Sequence, residues 1–498
     1  MLTLAIFLPL LGAAAMLLLP EDRPRLARGL AVAVAFLPMA LLTAAWLRFD
    51  LQPGFQLVEA VDWIPSLGVR YAVGVDGVSL PLAAMTALLF LTALAFPVEW
   101  QGRAREYYAI FLFLEMASLG VFLALDLFLF YVFWDLSLVG MYFLIGAWGH
   151  GENPRRSALK FFLYTLAGSL AMLLAILGLY LATEPRTFDM ATIIATRPLA
   201  GTGWLPTLVF LGFALGFAIK APLVPFHTWL PPAHVDAPAP VSAILAGVLL
   251  KMGTYGFVRI LFSMMPETFR RFAWPLAILA VVSIVYGALV ALAQSDLKRR
   301  IAYTSVNHMG YTILGIAAAG SVFADHEASR SIALTGAIVE MVAHGLITGA
   351  LFLMTGSLWR RAGTYEIGAF GGLAGRAPWL TGLFALAAFA SMGLPGLAGF
   401  VAEFQIFAGT FGVRPWLAGI GLLGIIVTAA LFLHLVQSLF LGKLPDRWRD
   451  WPPLSPSETA ALAVLLFFVV LIGVAPAWLL DVIDSTARPL IEAFRPAP

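Results

Sequence analysis

An all-α polytopic membrane protein with about 14 transmembrane helices is the fold class this sequence predicts, on three observations. Of its 498 residues, 61% are hydrophobic and only 12% charged, with a mean hydropathy of +0.92. That is too little charge to cover a water-soluble surface of this length. Runs of about 20 apolar residues recur from end to end, the length a helix needs to cross a bilayer. The runs are continuous rather than alternating, which argues against a strand barrel.

Taken in order, the first span lies near 2–20, in MLTLAIFLPLLGAAAMLLLP. No basic stretch precedes it, so it reads as a retained helix rather than a signal peptide. The second lies near 29–48, and a connection over 49–76 leads to the third, near 77–97. Spans four to six follow near 107–124, 127–147 and 158–182. A second long connection, 183–204, precedes spans seven and eight, near 205–226 and 238–262. The last six lie near 273–294, 300–321, 331–358, 378–410, 416–441 and 458–483. Neither long connection is long enough to fold alone. The spans group as 1–106 (helices one to three), 107–262 (four to eight), 263–441 (nine to thirteen) and 442–498 (fourteen and a tail).

Composition excludes several chemistries. The net charge of +2 is near neutral, and no basic stretch marks a nucleic-acid partner. The chain has no cysteine, which excludes disulfides, cysteine-ligated iron–sulfur clusters and thiol catalysis. No phosphate loop or dinucleotide fingerprint is present. His227 and His234, seven apart around a Pro-Pro pair, are a weak metal pattern. The expected partners are the lipid bilayer and other membrane chains.

Orientation follows from the loops. With the N-terminus outside, seventeen loop cations face inward and ten outward, which places both termini outside. The other three basic residues, Lys220, Lys251 and Arg259, fall inside spans, Arg259 nearer the membrane surface. Only five of the thirty basic residues are lysine, yet two of these three are. Arginine keeps its proton, whereas a desolvated lysine releases one, so this usage points to proton handling.

Each ionisable group within a span costs about 2.5–3.5 kcal/mol to insert. Here they are numerous: Glu115, Asp135, Lys220, Lys251, His308, Glu340, His344, Glu403 and His434, with Asp126 and Lys160 nearer the surfaces. One alone reads as a structural ion pair, and His434 reads as a hydrogen-bonded core residue. The set, spread over many helices and mixing acids, lysines and histidines, reads as a path. Glu340 and His344 stand one helical turn apart and share a face. Histidine titrates near neutrality and has two nitrogens, which suits transfer between waters.

Lys220 is followed by Pro222 and Pro225, which break span seven. In span twelve, SMGLPGLAGFVAEF sets Gly393, Pro395, Gly396 and Gly399 just before Glu403. Broken helices at membrane depth line polar cavities or are buried in protein. Spans four to eight and nine to thirteen are blocks of five, and an odd count inverts the second block. Two interruptions at corresponding places point to a transport site in each half.

Four stretches carry a family resemblance: FYVFWDLSLVGMYFLIGAWG (130–149), FAIKAPLVPFHTWLPPAHVDAPAPVSAILAGVLLKMGTYG (217–256), DLKRRIAYTSVNHMGYTILG (296–315) and GLPGLAGFVAEF (393–404). With VGVDGVSLPL (73–82), they resemble the antiporter-like membrane subunits of respiratory complex I, NADH–quinone oxidoreductase, and among them the subunit M family. The resemblance covers nearly the whole chain. It implies a 14-helix fold of two inverted five-helix repeats with broken helices seven and twelve, in a bacterial cell membrane with both termini periplasmic. It implies a proton relay through Asp135, Lys220, Lys251, His308, His344 and Glu403, with Glu115, Asp126 and Glu340 as accessory acids. NADH, FMN, iron–sulfur clusters and quinone are then bound by other subunits, and the two sister antiporter-like subunits are neighbours. Glu403 stands where the sister subunits carry lysine.

The sequence departs from the family in two places. Asp135 replaces a glutamate and is one methylene shorter, so its contact with Lys220 is expected to need a water or a helix shift, or to be shared with Asp126. Glu340 replaces a neutral residue, and from one turn away it is expected to ease protonation of His344. A subunit of a multi-chain sodium/proton antiporter is the alternative reading, and it predicts sodium-dependent exchange. A scaffold bundle predicts that neutralising Lys220 and Lys251 changes nothing.

Overall fold

The computed structural model describes residues 1–98, 102–321 and 326–494. The first part comprises α1 (Leu2–Met16), α2 (Pro24–Arg48), an antiparallel hairpin of β1 (Gln56–Ile64) and β2 (Val69–Val75), then α3 (Ser79–Ala95). Next come α4 (Ala104–Leu123), α5 (Leu127–Trp148), α6 (Pro154–Ala182), the short α7 (Met190–Thr196), α8 (Trp204–Lys220) and α9 (Leu230–Asp236). One continuous helix, Ala239–Phe262, contains α10 (Ala239–Ile244) and α11 (Leu250–Gly256), each followed by a π-helical segment. The rest is α12 (Pro266–Leu292), α13 (Leu297–Gly320), α14 (Glu327–Ala362), α15 (Pro378–Ser391), α16 (Ala398–Val413), α17 (Pro415–Phe440), α18 (Pro456–Val474) and α19 (Ala477–Ala493).

Nine of these helices, among the described residues, are long and apolar enough to cross a membrane. Five more are apolar but shorter. Ala239–Phe262 and the 36-residue α14 are apolar and buried all round, which makes them the centre of the bundle. α14 packs on α10, α13, α16 and α18. On the periphery, Leu174, Leu211, Leu423, Ile426 and Phe467 face outward, as side chains do when the surroundings are lipid.

The 49–76 connection is a hairpin whose second strand packs on α4 and α5. Two expectations are corrected. The last span ends at Val474, and 477–493 is a separate amphipathic helix. Its apolar residues Leu479, Val482 and Ile483 are buried, while Asp484 accepts from the Thr335 hydroxyl at 2.6 Å. Hydropathy alone merges two helices whose joint is only Ala475 and Pro476. His434 is exposed, its ring bonded to Ser438 at 3.0 Å, because that face of α17 points away from the bundle.

The hairpin, α7 and α19 gather at one end of the bundle; the 149–153 and 363–377 connections lie at the other. At that second end Glu458 is fully buried. It accepts both Arg361 guanidinium nitrogens, at 2.8 and 2.9 Å, and the Ser357 hydroxyl at 2.8 Å. It also closes a capping box with Ser455. Removing one partner of such a pair strands the other charge. Glu458→Ala is therefore expected to destabilise the α14–α18 contact by about 3–5 kcal/mol. Thermal unfolding of the detergent-solubilised protein checks this: an unchanged midpoint means that Arg361 finds water instead.

Candidate functional site

Lys220 ends α8, where the helix dipole favours a cation. Its ammonium lies 5.0 Å above the Trp134 ring and 3.4 Å from the Ser137 hydroxyl. The break after it is held by side chains that take up freed backbone groups. The Trp229 indole donates to Ile219 O at 2.9 Å, and the Val224 amide donates to Ser283 Oγ at 3.0 Å. Gly253 lets α11 press against this turn: a Cβ there would stand 2.7 Å from Ala221 N and Phe217 O.

The direct Asp135–Lys220 contact is not made. Asp135 is half-buried, and its carboxylate accepts the Ser169 hydroxyl of α6. Ser137, two residues on, faces Lys220 instead and also touches Met252 Sδ at 3.7 Å. Residues two apart on a helix point to different faces, so the shorter aspartate turns to the nearer hydroxyl. Asp126 does not substitute for it. It is the N-cap of α5, accepting from the amides of Phe128, Leu129 and Arg70 at 2.9–3.0 Å. Glu115 is also separate: it is fully buried in α4, and neither carboxyl oxygen has a partner in the protein.

The second half gathers its groups into one cluster. The Lys251 ammonium meets His344 Nδ1 at 2.5 Å and donates to Ala246 O at 2.6 Å. Ala246 lies in the π segment Leu245–Leu249, whose wider turn moves carbonyls out of the i−4 ladder. The His344 and His308 rings are 5.1 Å apart. His308 Nδ1 lies 3.0 Å from Glu340 Oε1 and 3.8 Å from Glu403 Oε1, and its Nε2 meets the Ser391 hydroxyl at 3.2 Å.

Glu340 therefore serves His308 rather than His344, a correction to the expectation drawn from helical spacing. Its neighbour across the helix gap is nearer than the residue one turn along. Ser391 ends α15, so the second helix break delivers a ligand to the same cluster. Gly393 follows at φ +72, and a Cβ there would stand 2.3 Å from Glu403 Oε2. Only glycine allows both that backbone and that approach. Sequence reading missed Ser137, Ser391 and Trp134, because hydroxyls and indoles in apolar runs carry no signal of their own. It also missed the partners of Arg259, which lies near one end of Ala239–Phe262 and is buried in the protein, 2.6 Å from Asp76 Oδ1 and 3.0 Å from the Tyr255 hydroxyl.

Two helices broken beside a lysine and beside a carboxylate, joined through the bundle centre by lysine and paired histidines, define an antiporter-like class of membrane protein. A family profile described as NADH:quinone oxidoreductase/Mrp antiporter, transmembrane, matches residues 124–431. NADH-quinone oxidoreductase subunit M of Rhodobacter capsulatus is 41% identical over 93% of this chain and 90% of its own. A chain of respiratory complex I from Thermus thermophilus with bound NADH superposes with a TM-score of 0.89 at 33% identity, covering 100% of both chains. A chain of the Mrp complex from Dietzia sp. has the same fold, with a TM-score of 0.85 at 24% identity over 99% of this chain and 98% of that one. The chain belongs to the NADH-quinone oxidoreductase subunit M family.

Proposed function

We propose that this chain carries protons in the membrane arm of an NADH–quinone oxidoreductase, driven by electron transfer in other subunits. The series Lys251–His344–His308–Glu340/Glu403, bridged between the two histidines by a ring-to-ring step of 5.1 Å, is the observation that supports it most. The chain crosses a bacterial inner membrane 14 times, with both termini outside. α4–α9 with Ala239–Phe262, and α12–α17, are two inverted repeats of five spans each. The two sister antiporter-like subunits flank it, and NADH, FMN, iron–sulfur clusters and quinone belong to other chains.

Asp135, half-buried at the edge of the bundle, is where a neighbouring subunit's charge acts. With an anion near, Lys220 keeps its proton. With the anion withdrawn, a low-dielectric site favours the neutral amine. The proton passes through water near Ser137 to Lys251, then along the two histidines to Glu403 and outward. The break after Lys220 gives water access to the amine.

The Mrp-type reading shares the fold but not the level of identity. A tagged chain drawn from native membranes in mild detergent separates the two. Co-purification with iron–sulfur subunits and NADH-dependent quinone reduction is the expected result. A handful of small membrane subunits with sodium-dependent exchange in vesicles means the antiporter instead.

A further inference from the structure

A groove of about 210 Å³ opens on the lipid-facing side of the bundle, at the end that holds the hairpin and α19. α2, α3 and α18 line it through Leu42, Leu88 and Phe468, and Val342 and Leu346 of α14 also face it. Among the described residues, Thr43 is the only hydroxyl in its lining, and it already donates to Met39 O at 2.8 Å within α2. A space so lined does not hold water. α2 stands at the periphery, and Leu47 on the groove is 81% exposed, so what fills the space comes from the bilayer.

The polar groups lie at one end of this groove. The Trp46 and Trp478 rings meet there at 5.3 Å. Tryptophan gathers at the level of lipid headgroups, where its ring sits in an apolar medium and its N–H meets an acceptor. The Trp478 indole nitrogen is buried and has no hydrogen-bond partner in the protein. A buried donor is nearly always paired, so its acceptor has to come from outside the chain. Arg48, two residues beyond Trp46, ends α2. It is exposed, and its guanidinium makes no hydrogen bond or ion pair among the described residues. Away from these groups the groove follows α2 from Trp46 back to Met39, about 10 Å along the helix.

We propose that the groove is the seat of a membrane phospholipid, with one acyl chain between α2, α3 and α18, an ester carbonyl on the Trp478 N–H and the phosphate at Arg48. That it belongs to the outer leaflet follows from the topology proposed above; the seat itself does not depend on it. A packing role explains the pair of rings but not a buried indole donor without an acceptor. The seat bears on the charged cluster through α3. Met85 lines the groove, and a Cβ on Gly345 would stand 2.3 Å from its sulfur, so α3 lies directly on α14 at the residue after His344. An acyl chain fills the space beside Met85 and keeps water from that contact.

The test uses the assembled complex, washed in mild detergent to strip loosely held lipid, and a phosphatidylglycerol with a diazirine in one acyl chain. After irradiation, labelled peptides are read by mass spectrometry. Label on the peptides that hold Met85 and Phe468, displaced by unlabelled phosphatidylglycerol, is the expected result. Arg48→Gln removes a cation at the headgroup and is expected to lower the label about fivefold. Trp478→Phe keeps the ring, loses the N–H and is expected to lower it about fivefold as well. Ala84→Phe puts a ring into the groove and is expected to abolish the label. If that variant does not assemble, the other two still decide, since neither changes the packing. Equal label in Arg48→Gln, Trp478→Phe and wild type overturns the seat. So does equal displacement by diacylglycerol, which lacks the phosphate, or label spread evenly onto the exposed Leu174 and Leu423 peptides, which means surrounding lipid only. The readout is label rather than pumping, so its failure leaves the proposed function standing, and normal pumping in Lys220→Met leaves the seat standing.

Discussion

Lys220→Met assembles into the complex and abolishes coupled proton pumping. Methionine is unbranched and of similar length, so it fills the space beside Trp134 and Phe217 without a charge. Lys220 makes no short ion pair in the structure; its nearest hydrogen-bond partner is Ser137 at 3.4 Å. Losing it therefore strands no buried partner, and stability and subunit content are expected to stay near wild type. Function is expected to suffer instead, because α8 then ends at the first helix break without its buried ammonium. Proton yield per NADH, read by a pH-sensitive dye in vesicles, checks this against complex content on a native gel. A normal yield would sink the relay.

Arg259→Leu is expected to do the reverse and remove the assembled complex. Arg259 and Asp76 are each 3% exposed and 2.6 Å apart. Asp76 also caps α3 through the amides of Val78 and Ser79, at 3.0 and 2.9 Å. Leucine leaves that carboxylate buried and alone, a loss of about 3–5 kcal/mol. Most of a typical domain's net stability is of that order. Adding Asp76→Asn removes the stranded charge and keeps the capping oxygen, so the double variant is expected to recover most of the assembly. Native-gel band intensity for the two variants is the readout. If Arg259→Leu assembles fully and only pumping is lost, this pair belongs to the transport path rather than to the scaffold.

These two expectations differ because of what surrounds each cation, and the sequence presents both as a basic residue in an apolar run. Nothing in the apolar run around Arg259 marks Asp76, 183 residues away, as its partner. Glu340 shows the same limit. Helical spacing puts it one turn from His344, and that is correct, yet its carboxylate bonds His308 of α13. Asp135 lies two residues from Ser137 on α5, and it is Ser137, not the acid, that faces Lys220. The break in span seven was legible as two prolines, and the break in span twelve as glycines around a proline. The side chains that hold the first break, Trp229 and Ser283, were not legible, since both read as ordinary residues of their runs.

What this sequence determines by itself is local and additive. Hydropathy sets that the chain lies in a membrane and roughly where each helix runs. Proline and glycine set where two of them break. Residue type sets which groups can hold a proton. Partner choice is not local. Which face of each helix turns inward is decided by packing around α14 and Ala239–Phe262, and a rotation of one residue, about 100°, moves a side chain to another neighbour. That packing brings together Lys251 and His344, 93 residues apart in the chain, and sets His308 between Glu340 and Ser391. In a medium without water to compete, those rotations decide which charges are paired, which wait for a proton, and which only hold the bundle closed.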